Sequence, residues 1–387
     1  MIYQGISVFT GQAVEIEVRD QRIQRVRRLE AQGPLPHLSP GFLDLQVNGY
    51  LGADYSLDGL TEDQVTRIVS SLDPSGTTQH VPTIVTSPKD RLIRNLKVIC
   101  RAMQRSEDIA RAIAGIHIEG PFISRENGPR GAHDPAYVRA PDLEEYKAWQ
   151  EAAEGRIRII TLAPEWDGAL RFIEKVSGEG VIVALGHTGA APERIREAVA
   201  AGARLSTHLG NGSHAQVPRL KNYIWEQLAE DSLRAGIICD GFHLPPSVIK
   251  VFTRAKGLER LILVSDVAYL GGMEPGVYNW GSIRVQVHED GHLGLAGTEF
   301  LAGAGHLLDW DIPRFMEAAG RGLAEAIPLC TGNPARLLQL PEKAGSLEPG
   351  APADLVLFDY TMRDARLRVL KTIRAGREVF SQGVDGR

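Results

Sequence analysis

Leu261-Ile-Leu-Val-Ser-Asp266 is an apolar run that closes on a carboxylate. A short continuous apolar run reads as a strand buried on both faces, which belongs to a parallel sheet covered by helices. When such a strand ends on an ionisable side chain, it delivers that group to the C-terminal rim of a barrel, where (β/α)8 sites are built. The chain repeats the pattern several times. Earlier runs end on Gln46 and Asn48, on Glu119, on His187, on His208 and on His243.

Outward from this run, strands are expected near 41–48, 77–86, 114–119, 157–163, 181–187, 204–209, 235–240 and 261–266. Helical periodicity lies between them, as in Thr61 to Leu72, Asp90 to Ser106, Asp142 to Glu154, Pro192 to Ala201 and Pro246 to Ala255. About eight strand–helix units in roughly 300 residues point to an α/β fold with a closed (β/α)8 TIM-like barrel rather than an open sheet. Both ends of the chain differ. Ala13-Val-Glu-Ile-Glu-Val18 and Val369-Leu-Lys-Thr-Ile-Arg-Ala-Gly-Arg-Glu-Val379 read as half-buried strands with turns. The expected organisation is a small β-sandwich domain from residues 1–40 plus 345–387, and a barrel over 41–344.

Composition narrows the function class. The 387 residues are 43% hydrophobic and 24% charged, with a net charge of -5. That balance gives no general attraction to nucleic acid or to anionic membranes, so a small-molecule substrate is the expected partner. Cys100, Cys239 and Cys330 form no C-x-x-C pair and read as buried free thiols in a reducing compartment. No secretion signal or membrane-length apolar stretch is evident, so a cytoplasmic location is expected.

Glu119, His187 and His208 stand out as metal ligands. One carboxylate and two imidazoles with an open fourth position form the donor set of a hydrolytic zinc site. A lone strand-end histidine is more often a hydrogen-bonded structural residue, but three donors on three barrel strands reverse those odds. One divalent cation is expected, with Zn2+ the first choice and Fe2+, Co2+ or Mn2+ also compatible. Asp266 fits a general base that takes a proton from water and gives it to a leaving amine. His243, and His133 from a loop, could donate to a substrate oxygen. His288 and His292 lie in an alternating stretch that reads as a solvated hairpin. Three functions are open: hydrolysis of an N-acetylated amino sugar, which is what the resemblance carried by the ordered motifs implies, hydrolysis of another acylated amine or a cyclic amide, and non-catalytic sugar binding. A binding barrel has no need of a water-activating set.

Several ordered motifs carry a resemblance. They are Pro40-Gly-Phe-Leu-Asp-Leu-Gln46-Val-Asn48-Gly, Gly115-Ile-His-Ile-Glu119-Gly-Pro-Phe, Gly131-Ala-His133-Asp-Pro, Gly186-His187-Thr, Thr207-His208-Leu-x-Asn211, Asp240-Gly-Phe-His243 and Leu263-Val-Ser-Asp266. Together the chain resembles the amidohydrolase superfamily, and within it the N-acetylglucosamine-6-phosphate deacetylase family. The resemblance implies a barrel with a small terminal β domain, metal ligands at Glu119, His187 and His208, a catalytic Asp266, and often a homodimer. It also implies that Asn211, Gly212 and Arg219 orient the sugar with His133 and His243. Many relatives carry His-x-His where this chain has Gln46-Val-Asn48, and neutral amides imply a single metal. After His208 the family has Asn-Ala-Met and an Arg-Glu-Pro-Gly stretch, where this chain reads Asn211-Gly-Ser213-His214 and then Pro218-Arg219-Leu220.

Overall fold

The computed structural model describes residues 1–30, 33–280, 283–298 and 300–382. Eight strands form one sheet in sequence order: Phe42–Val47, Thr77–Val85, Ile116–Glu119, Ile157–Leu162, Ile182–Leu185, Ala203–Ser206, Arg234–Ile237 and Leu261–Leu263. Every pairing between neighbours is parallel. The first and last strands close the ring through a Val47–Val267 bridge and a 3.0 Å bond from the Asn48 amide to the Val267 carbonyl. The barrel read from the sequence is therefore present.

Local chemistry fixes the helices around it. In Glu62–Leu72 the Thr61 hydroxyl accepts from the Gln64 amide, and the Gln64 side chain accepts from the Thr61 amide in return. This reciprocal cap satisfies backbone donors that the first turn leaves open. The helix then buries Val65, Ile68, Val69 and Leu72, a spacing of three and four that makes one apolar stripe. Leu43, Leu45, Val81, Ile159, Ala184 and Ile262 form a separate core among the strands.

Strands from both termini join in one seven-stranded sheet. Its order is Arg377–Ser381, Arg368–Arg374, Leu355–Asp359, His37–Pro40, Ile2–Ser7, Ala13–Arg19, Arg22–Arg28. Tyr3, Ile16, Ile23, Leu38, Leu355 and Ile373 share its core, so the N- and C-terminal halves stabilise each other. Arg374 ties this sheet to the barrel. Its guanidinium pairs with Asp73, and its Nε donates to the Thr78 carbonyl at 2.7 Å. Both partners of the ion pair are nearly sealed, at 4% and 11% side-chain exposure. Removing one member of a buried pair strands the other charge. Arg374→Ala is expected to cost about 3 kcal/mol, read as a lower midpoint in denaturant unfolding at unchanged slope.

After the eighth strand the chain inserts a three-stranded antiparallel sheet, Gly276–Trp280, Ile283–Val287 and Leu293–Leu295. It then re-enters the outer layer as the helix Leu308–Ala319. Among the described residues no helix is long and apolar enough to cross a membrane. The three cysteines are free and buried, as read from the sequence.

Candidate active site

The residues singled out at strand ends converge above the barrel. Glu119 is the last residue of its strand, while His187 and His208 each lie two residues past theirs. The His187 Nε2 is 3.1 Å from Glu119 Oε1, His208 Nε2 is 2.9 Å from the same oxygen, and the two ring nitrogens are 3.0 Å apart. These separations bring all three ligand atoms within reach of one ion; tetrahedral ligand distances of about 2.0–2.2 Å would space them slightly wider, at about 3.3–3.6 Å.

Protonation chemistry supports the same reading. The His187 Nδ1 sits 2.8 Å from the Pro129 carbonyl, which only accepts, so Nδ1 carries the hydrogen. That turns Nε2 toward the Glu119 carboxylate, and a carbonyl-bound Nδ1–H is the usual way a ligating histidine is oriented. Burial alone would raise the Glu119 carboxyl, but the two imidazoles hold it well below the usual carboxylate range. The donor set therefore fits a divalent metal.

His133 joins this cluster more closely than a loop position suggests. Its Nε2 lies 3.3 Å from His187 Nε2, and its Nδ1 bonds the Thr86 hydroxyl at 2.8 Å. Glu119, His133 and His187 offer ligand atoms within 4.8 Å of one another. Burial first, and the adjacent His187 next, push the His133 ring down to about 3, so it stays neutral.

Asp266 faces the same space. Gln46 Nε2 donates to Asp266 Oδ1 at 2.8 Å and to Glu119 Oε2 at 3.1 Å, while Asn48 Nδ2 donates to Asp266 Oδ1 at 2.8 Å. The two amides thus present protons, not lone pairs, between the carboxylates. They also fix Asp266 by one oxygen and leave Oδ2 for chemistry. Burial, and then the Glu119 charge, push the Asp266 carboxyl up to about 6.

His243 is aimed by Asp240, whose Oδ2 accepts from His243 Nδ1 at 2.7 Å and whose Oδ1 accepts the Phe242 and His243 amides at 2.8 and 2.9 Å. That leaves Nε2 as the ring atom facing the cleft. Gly212 approaches the metal cluster by its backbone: with φ of +54°, it would place an added Cβ 2.6 Å from His187 Nδ1. Only glycine fits that position.

His187, His208 and Asp266 all adopt positive φ, at 51°, 27° and 50°. A non-glycine residue there costs on the order of 1–3 kcal/mol, and such residues cluster where a site dictates the backbone. Each lies where the chain leaves the barrel, so the turn that aims the side chain is also the strained one.

The cleft has a volume of about 520 Å³. Of the residues expected to carry function, Glu119, His133, His187, His208, Asn211, Gly212, His243 and Asp266 line it. Arg219 does not; it is exposed on the following loop. The sequence reading missed Phe242, Trp280, Phe300 and Leu301, which form much of the apolar lining. It also treated His288 and His292 as a solvated hairpin, and the structure corrects this. Their half-buried rings stack at 3.8 Å, His292 stacks on Phe242 at 4.7 Å, Phe242 on His306 at 5.9 Å, and His306 on Trp310 at 4.0 Å. The stack runs from the inserted sheet, past the loop that carries His243, to the helix Leu308–Ala319. The alternation of the hairpin was visible in the sequence, but its docking partner lies more than forty residues earlier.

A family model described as the amidohydrolase family matches residues 38–383. The chain belongs to that family, a class of metal-dependent enzymes that hydrolyse carbon–nitrogen bonds. Within it, the chain groups with the N-acetylglucosamine-6-phosphate deacetylases. The rat enzyme of that name is 34% identical over 84% of this chain and 80% of its own length. The Bacillus subtilis enzyme is 32% identical over 85% and 82%. An aspartate-to-alanine variant of the Mycobacterium smegmatis deacetylase, solved in complex with N-acetyl-D-glucosamine-6-phosphate, superposes with a TM-score of 0.87 at 30% identity, covering 98% of this chain and 99% of that one.

Proposed function

We propose that this chain removes the acetyl group from an N-acetylated amino sugar, N-acetylglucosamine 6-phosphate or a close relative of it, using a single divalent cation, Zn2+, in the cytoplasm. The observation that carries the reading is the convergence of Glu119, His187 and His208 within about 3 Å of one another beside the free oxygen of Asp266. Glu119, His187 and His208 would hold the cation, which when bound would polarise an amide carbonyl and bring the pKa of a water it binds to about 7.

The chain's own groups supply the proton transfers. Asp266 Oδ2 takes a proton from the attacking water as the carbon–oxygen bond forms. It then gives that proton to the amide nitrogen as the carbon–nitrogen bond breaks, releasing acetate and a free amine. His243 Nε2 meets the carbonyl oxygen or a sugar hydroxyl, and His133, Asn211 and the Gly212 amide orient the sugar. Gln46 and Asn48 keep the base in one orientation, which preserves a productive geometry. Arg219 lies on the exposed loop after Gly212, outside the cleft lining. A homodimer, as the resemblance implies, is the expected assembly.

Acetate release from a panel of N-acetylated amino sugars tests the proposal. Turnover should vanish after chelation and return with Zn2+; no release from any member would overturn it. The base role also sets a pH dependence. Asp266 works only when ionised, so protonation removes activity as pH falls. The kcat/KM should drop tenfold per unit on the acid side of this carboxyl's pKa, which burial and Glu119 push up to about 6 and a bound dication draws lower. A kcat/KM with no acid limb down to the pH at which the metal is lost would exclude Asp266 as the base.

A further inference from the structure

His243 reaches the cleft on a short loop, Asp240-Gly-Phe-His243. Gly241 gives that loop a left-handed backbone, with φ of +91°, and so a natural point of flexure. Rings from elsewhere in the chain hold it. Phe242 packs on His292 of the inserted sheet at 4.7 Å and 28°, and on His306 at 5.9 Å and 15°. His306 in turn lies 4.0 Å from Trp310 and 6° from parallel, and the Arg314 guanidinium covers the Trp310 ring at 3.3 Å. Trp310 also holds the loop by its backbone. Its Nε1 donates to the Asp240 carbonyl at 3.0 Å, while the Asp240 carboxylate holds the His243 ring. The turn of the inserted hairpin presses on the same rings: Gly291, with φ of +85°, would place an added Cβ 2.7 Å from His306 Cε1.

An ordinary core fills such a space with aliphatic side chains, which bring no polar atom to satisfy. His306 brings one and does not use it. Its Nε2 is sealed from solvent and meets no hydrogen-bond partner among the described residues. Burial pushes the ring down to about 4, so it is neutral and serves as a flat plate. Stacked rings fix offset and tilt as well as distance, which aliphatic contacts do not. Neither His306 nor Trp310 lines the cleft. We propose that His306 and Trp310 are positioning residues for His243, fixing its loop through the Phe242 ring and the Asp240 carbonyl. This rests on the reading of His243 as a substrate-facing group in amide hydrolysis, and names the residues that aim it.

Two readouts on the full chain test it. The first is acetate release from N-acetylglucosamine 6-phosphate by the Zn2+-loaded enzyme. His306→Ala should lower kcat/KM at least about tenfold, since a displacement of about 1 Å can cost more than that. His306→Phe restores a stacking ring and should recover most of the loss. In a His243→Asn background, His306→Ala should cost no more than about twofold further, because residues that act through one another are not additive. A second tenfold loss in that background, or no loss in the parent, overturns the proposal. Trp310→Phe keeps the ring and removes only the N–H to Asp240. It should follow the same pattern with a loss of about threefold, and it decides the matter if His306→Ala does not fold.

The second readout is amide hydrogen exchange. The Phe242 and His243 amides both donate to Asp240 Oδ1. Their exchange, followed by mass spectrometry, should speed at least about tenfold in His306→Ala and stay at the parent rate in His306→Phe. Unchanged exchange in His306→Ala overturns the proposal. If the parent releases no acetate, the deacetylase reading fails separately, and exchange still decides whether the rings hold the loop.

Discussion

Asp266→Asn should leave a folded, metal-loaded protein whose kcat has fallen by about 10³-fold, within the range that a positioned acid–base group supplies. The substitution is unusually clean here. Gln46 and Asn48 both donate to one Asp266 oxygen, and the asparagine carbonyl can accept both bonds in the same place. The amide group then occupies the Oδ2 position, where it cannot take a proton from water. Metal content by mass spectrometry and the circular dichroism spectrum should match the parent. Turnover within tenfold of the parent would mean that another group serves as base.

Glu119→Gln should cost more. Glu119 is the only anionic member of the donor triad, and both imidazoles bond to its Oε1. A glutamine offers a neutral oxygen to the ion and an NH2 group that competes for the same space. Even partners that merely orient a ligand are worth about 10–100-fold in metal affinity, so loss of a ligand should exceed about 100-fold. Dialysed protein should arrive nearly metal-free and inactive, with a normal unfolding transition for the terminal sheet and barrel. Stoichiometric metal and near-parent activity would mean that the ion sits elsewhere.

The barrel and its donors were legible because both follow from short-range patterns. An apolar run predicts a buried parallel strand, and the residue that ends it lands on a known rim. Glu119, His187, His208 and Asp266 could therefore be placed together although they span 148 positions. Gln46 and Asn48 were recognised as poor ligands, but their second task was invisible. Holding Asp266 by one oxygen depends on the Val47–Val267 closure, which only the folded ring creates. Arg219 was placed by motif order alone, and motif order does not say whether a loop turns its side chains toward a cleft or away from it. The apolar wall escaped for a related reason. Trp280 and Phe300 sit in an insertion whose alternation looks the same whether it faces water or a binding cleft.

The left-handed turns at His187, His208 and Asp266 have a bearing on how such a chain can be hardened. Glycine tolerates that backbone better than histidine or aspartate. A blind selection for heat tolerance would find relief at these three positions first, and each winner would be a sturdier protein without chemistry. Durable yet working variants must come from the helices and the terminal sheet, where comfort of the backbone and catalysis do not pull in opposite directions.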